Sequence, residues 1–400
     1  MPMTINPDDS LLDITDRWPD TVPVFVSQGF PQMADDAKRR VFGGAISLRQ
    51  AVGLKKLDLG QFVELLESVV PQDETAAVDA GLAPVRVMGL LPCPVRIPLE
   101  EAFADFKQSY LERTGRAIEA ELQAASVGAA WIDEHVSSVD DPSDFPDLFI
   151  SAGFETFFDP EGIGKFREVF ADRTPHADLN SDFDGLGLRD PEGRYSIISV
   201  VPAVFLVNTN ELGDDPMPRT WEDLLDPRFE QRVSLPVGDF DLFSGILLDI
   251  RRRYGDDGVR RLGRSLSESL HPAQMVKLGA KPASPVVTIM PYFFTRMAQP
   301  GSPMRAVWPE DGAIISPIFL LTKADTGDEL QPVVDFFCSR EVADILAVKG
   351  LFPSAHPDAD NGLDGGQTFS WLGWDWISTH DIAAEIQACQ RLFDEGKESL

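Results

Sequence analysis

Four hundred residues, 43% of them hydrophobic, with 65 acidic against 35 basic side chains and a net charge of -30, describe a globular chain of more than one domain. That charge excludes a protein that works by setting clustered Lys and Arg against nucleic acid or an anionic lipid surface. Three widely spaced cysteines, Cys93, Cys338 and Cys389, exclude a disulfide framework and a C-x-x-C pair.

The first residues lack a basic start followed by an apolar run, so the sequence as written predicts a cytoplasmic protein, periplasmic if the start site is wrong. No window of about 18 apolar residues is present, so no membrane insertion is expected. Residues 1–70 read as a small all-α domain. Leu11, Leu12, Ile14 and Trp18 make a short amphipathic run behind Asp9-Ser10 and are stopped by Pro19. Helices are also predicted over 21–28, 47–52 and 58–70, the last with Leu59, Phe62, Val63, Leu66 and Val70 on one stripe. The pair around Gly53 has the outline of a helix-turn-helix, but ten acids against seven bases in this segment give the wrong sign for a DNA reader. Residues 71–84, small, polar and flanked by proline, read as a linker.

From Val85 strands alternate with helices. A strand over 85–91, a helix from Leu99 to Thr114 closed by Gly115, a strand over 117–122, a helix over 129–136 and a strand over 147–151 make a βαβαβ series, hence a parallel sheet. The apolar stretch 197–208 follows. A second α/β series then runs through a strand at 233–236, helices over 242–254 and 258–269, and a strand over 286–290. Another apolar stretch, 313–322, precedes helices over 328–338 and 341–349 and, after Trp371, Trp374 and Trp376, a last helix over 381–393. The expected fold is therefore α/β and bilobal over 85–400, with lobe I about 85–200 and 313–400, lobe II about 205–305, and two crossing strands as a hinge.

No catalytic motif stands out. The five histidines are isolated in sequence, and neither a phosphate-binding glycine loop nor a nucleophile elbow occurs. Small polar residues do recur just beyond the strands, where open parallel sheets hold ligands. Cys93 follows the first strand, Ser126 and Gly128 the second, Ser151 and Gly153 the third. Gly238, Asp239 and Ser244 follow the first strand of lobe II, and Tyr292 the last. Short residues there leave helix N-terminal N–H groups open to an anion.

The order of Val200–Asn210, of Pro218-Arg219-Thr220-Trp221-Glu222-Asp223-Leu224-Leu225-Asp226-Pro227, of Pro309–Ala313 and of Phe336–Ala347 with Phe352-Pro353 resembles the type II periplasmic binding proteins. These are the solute-binding components of ABC transporters, and the chain is most similar to the branch that includes ferric-iron binders. The resemblance implies a cleft that closes on a small ligand, no covalent chemistry, no cofactor and an ABC permease as partner. Ile5–Pro19, Val24–Phe30 and Ser47–Ala51 resemble the DUF1858 domain, whose members often carry a cysteine pair after the Gly-aromatic step; here Pro31-Gln32-Met33 stands there. An unknown protein partner of residues 1–70 is a further expectation.

Iron-binding members use adjacent tyrosines after the last strand of the second lobe, whereas this chain has Pro291-Tyr292-Phe293-Phe294. One phenol leaves a bare ferric ion short of hard oxygen ligands. The expected ligand is an oxyanion, an organic acid or a phosphate ester; the alternative is a ferric or chelated metal with Asp239, Asp241 and Tyr292 as donors. Two rival readings are a cytosolic ligand sensor and an enzyme with Cys93 as nucleophile.

Overall fold

The structure is a computed structural model that describes residues 5–19, 21–27, 30–55, 59–67, 82–92, 94–125, 131–132, 135, 139–237, 240–268, 285–298 and 301–399. The chain separates into two compact units, Met1–Ala77 and Val78–Leu400.

In the smaller unit Ser10 caps the helix Leu11–Arg17, its Oγ accepting the Asp13 N–H at 3.0 Å, which satisfies one of the donors that a helix start leaves open. Helices Thr21–Ser27, Leu48–Lys55 and Leu59–Glu67 enclose a core of Leu11, Ile14, Phe25, Phe30, Leu48 and Phe62. The rings of Phe25, Phe30 and Phe62 lie 5.6 to 6.1 Å apart and fix its centre. Two further turns, Pro31–Ala34 and Arg39–Gly43, escaped the periodicity argument because they are 3-10 and π turns of four and five residues. Met33 of the Pro-Gln-Met step is fully buried in this core.

In the larger unit β1 (Val85–Leu91) pairs in parallel with β2 (Ile118–Ala124) and β3 (Leu148–Ala152). The helix Arg96–Thr114 crosses over between β1 and β2 and ends on Gly115 in the left-handed region, φ 69°, the conformation glycine adopts without strain. β4 (Ser196–Asn208) is buried over all thirteen residues, as a strand covered on both faces must be. β5 (Val233–Ser234), β6 (Leu266–Glu268) and β7 (Val287–Pro291) are parallel to one another, while β8 (Met304–Val307) runs against β4. β9 (Ala313–Thr322) runs antiparallel to both β3 and β4, and β10 (Phe369–Ser370) joins its start. The strand path is β2-β1-β3-β9-β4-β7-β5-β6.

That order makes β4 and β9 the shared pair. β4 pairs with β9 up to Pro202 and with β7 from Ala203 onward. Proline cannot donate to a ladder, and Pro202 stands where β4 passes from one partner to the next, so the missing N–H falls at the joint.

The two predicted helices of lobe II are both present within Phe240–Ser265, separated at Gly255, whose φ of 67° and ψ of -170° are not helical. The last helix, Ile382–Glu398, expected with lobe I, meets Glu155–Phe158 there and packs more extensively along Phe240–Ser265. Glycines explain the close crossing. A Cβ on Gly396 would lie 2.0 Å from the Arg260 carbonyl oxygen, and one on Gly263 would lie 2.1 Å from that of Phe393. Trp371 and Trp374 are buried in the core and anchor this segment, with Trp374 Nε1 donating to the Leu188 carbonyl at 2.9 Å.

Candidate functional site between the lobes

Two of the motifs that carry the family resemblance, Pro218–Pro227 and Pro309–Ala313, meet in lobe II. Asp311 accepts the Trp221 N–H at 3.2 Å and pairs with Arg253 at 2.9 Å, while Trp221 Nε1 donates to the Gly312 carbonyl at 3.0 Å. Burial, set against the Trp221 N–H and Arg253, leaves the Asp311 carboxyl above its ordinary range. Arg253 also pairs at 2.6 Å with the buried Asp249, which takes the Ser370 hydroxyl at 3.1 Å. This network fixes the start of β9 against the long helix, and with it the direction in which β9 enters the joint.

At the joint the lobes touch through the turn Tyr292–Met297 that follows β7. Phe293 packs on the apolar cluster of lobe I that includes Val95, Leu99, Ile318 and Phe352. Arg296 Nη1 reaches the Lys349 carbonyl at 3.4 Å. Tyr292 is half-buried, its ring edge-on to Trp308 at 5.2 Å, and its hydroxyl makes no hydrogen bond to a described residue.

The predicted site residues meet different ends. Cys93, Ser126, Gly128, Gly238 and Asp239 lie outside the described residues, as does the side chain of Asp241. Ser151 is 1% exposed and its hydroxyl donates to the Ala152 carbonyl at 2.7 Å, so its one donor is already engaged. The Gly153 N–H, expected to be open, donates to the Pro317 carbonyl at 3.2 Å and extends the β3–β9 pairing. Ser244 is buried in the second turn of its helix, next to Gly245, which faces the Ile315 carbonyl. Tyr292 alone of the described candidates presents an unengaged polar atom where the lobes meet.

One residue escaped the sequence reading. Ser316, inside β9, is 1% exposed and its Oγ has no hydrogen-bond partner. Its signal in the sequence was small: a lone hydroxyl in an otherwise apolar run, Ala313-Ile314-Ile315-Ser316-Pro317-Ile318-Phe319-Leu320-Leu321.

Histidines isolated in sequence also meet. His176 and His356 stack edge to face at 4.4 Å in lobe I, with His176 Nε2 beside the Cys338 carbonyl at 3.0 Å. Burial, then the neighbouring His176, holds the His356 imidazole below its ordinary range. The cavity they border is about 30 Å³, room for one water and no solute. Burial pushes the Cys389 thiol up to about 12 and raises that of Cys338 as well. No group of three His, Cys, Asp or Glu able to hold a metal ion occurs among the described residues, and no helix among them is long and apolar enough to cross a membrane.

Comparison with solved structures finds the same architecture. The chain is similar to the ferric binding protein from Campylobacter jejuni, at 13% identity, 78% of this chain and 99% of that one, TM-score 0.53. It is similar to a Trichodesmium protein solved with iron and citrate, at 10% identity, 78% and 99% coverage, TM-score 0.55. A two-component system protein that mediates signal transduction matches at 15% identity, 77% and 100% coverage, TM-score 0.55. At these identities the likeness is one of fold. No curated protein matches the chain. The family model described as bacterial extracellular solute-binding protein matches residues 143–380, and that of the domain of unknown function DUF1858 matches residues 5–63. With two crossing strands between two α/β lobes and a family match over more than half its length, the chain belongs to the bacterial extracellular solute-binding proteins of the ABC-transporter type, preceded by a DUF1858 domain.

Proposed function

We propose that the protein binds a small oxyanion, organic acid or phosphate ester between its lobes and releases it unchanged. The observation that carries this reading is the turn after β7, where Tyr292 offers one phenol without a hydrogen-bond partner among the described residues and Phe293 rests on the apolar cluster of lobe I. A phenol hydroxyl donates well to an acceptor oxygen, and an apolar wall beside it strengthens that bond by excluding water. A bare ferric ion asks instead for several anionic oxygens. Delivery to an ABC permease, and a separate protein partner for residues 1–70, complete the proposal.

Native mass spectrometry of the purified protein, then thermal-shift screening with phosphate, sulfate, citrate, sugar phosphates and ferric citrate, tests it. A ligand at a hundredfold excess over its Kd adds about 2.7 kcal/mol of stability. A shift by ferric ion alone would replace the oxyanion reading with the metal one, turnover of any bound compound would make the protein an enzyme, and no shift by any compound would sink solute binding. Cell fractionation decides between the cytoplasm and the periplasm, the compartment usual for the family.

A further inference from the structure

The polar side chains of the two crossing strands are engaged with one exception. Ser196 Oγ donates to Asp172 at 2.7 Å, Ser199 Oγ donates to the Pro353 carbonyl at 2.9 Å, and Thr322 Oγ1 donates to the Ala171 carbonyl. Ser316 is as deeply buried as these and its hydroxyl has no partner. A buried donor without an acceptor is costly to the folded protein, and alanine would fill the same place in β9 without that cost.

The position of Ser316 gives the hydroxyl a use. It pairs across the joint with Val201 of β4, the residue before the proline at which β4 changes partners. Its neighbour Pro317 accepts the Gly153 N–H, so Ser316 stands beside the C-terminal end of β3, where open sheets hold their ligands. Side chains alternate along a strand, and Ser316 shares its face with Ile318 and Leu320. Those residues and Val201 belong to the cluster of lobe I on which Phe293 of lobe II rests. The unpartnered hydroxyl is therefore on the face of β9 that carries the lobe I cluster, the same cluster against which Phe293 of lobe II packs.

We propose that Ser316 is a ligand contact, its hydroxyl donating to an acceptor oxygen of the small molecule held between the lobes. This rests on the solute-binding reading above and adds to it a residue of the hinge itself. Binding would then bear directly on the strand about which the lobes turn.

The test compares Ser316→Ala with Ser199→Ala in the full chain. Without ligand, Ser316→Ala is expected to melt at or above the wild-type temperature, because it removes an unpartnered donor. Ser199→Ala is expected to melt several degrees lower, because it strips hydrogen bonds from buried carbonyls. A fall in Ser316→Ala equal to that in Ser199→Ala would overturn the proposal by revealing an internal partner. Calorimetric titration with phosphate, citrate and glucose 6-phosphate follows. For whichever of these the wild type binds, Ser316→Ala is expected to bind roughly tenfold more weakly or worse, as the loss of a hydrogen bond to a charged acceptor implies. Equal affinity in the two proteins would overturn the Ser316 contact alone, the hydroxyl then serving a water. Failure of the wild type to bind any of the three would overturn the oxyanion reading and this contact with it.

Discussion

Phe293→Ala tests how the lobes close. The ring passes from the turn after β7 onto the apolar cluster of lobe I. Full burial of a Phe side chain is worth about 1.5–3 kcal/mol. Phe293 is partly buried, so the share held by lobe I is about 1–1.5 kcal/mol. If that contact exists only with the lobes together, its loss lowers the ratio of closed to open protein roughly five- to tenfold. Ligand affinity should fall by the same factor, and small-angle scattering of the ligand-free variant should give a larger radius of gyration. Melting should change little, because truncation at the joint opens no sealed cavity. The opposite pattern, an unchanged radius with a loss of about 3–5 kcal/mol, is that of a ring in a permanent core and would refute the reasoning.

Gly396→Ala should destabilise the larger unit by about 1–3 kcal/mol, because its Cβ meets a backbone carbonyl that cannot swing away; a melting temperature within one degree of wild type would contradict this. With Cys338 and Cys389 both buried and their thiols raised, a thiol reagent at pH 8 should modify no more than one of the three cysteines in the native protein and all three in denaturant. Rapid reaction of two would show that one of these sites opens. Because the folded His356 titrates below its unfolded value, its contribution is complete above the unfolded range near pH 6.5 and is lost as pH falls through the folded value. The melting temperature should therefore decline from pH 7 to pH 5, and His356→Asn should flatten that decline; an identical slope in the variant would assign the effect to other groups.

Much of the architecture is legible along the chain, for a physical reason that particular strands make plain. A strand buried on both faces must be apolar at every position, so Ser196–Asn208 and Ala313–Thr322 announce themselves as long β-branched runs. Gly115 ends its helix because a left-handed residue is needed there. Where the last helix goes was not legible: an amphipathic stripe says that a face is buried but not against what, and close contact at Gly263 and Gly396 is settled by the partner helix. The same limit governs the site. Ser151, Gly153 and Ser316 are all small residues in or just beyond apolar strands, equivalent as sequence. Register gives the Gly153 N–H an acceptor on β9, the Ser151 hydroxyl turns to the adjacent Ala152 carbonyl, and the Ser316 hydroxyl is left with none. The sequence by itself determined the two lobes, the crossing strands and the family; which buried hydroxyl is left without an internal partner was decided only by the tertiary structure, because that depends on which groups the fold brings alongside.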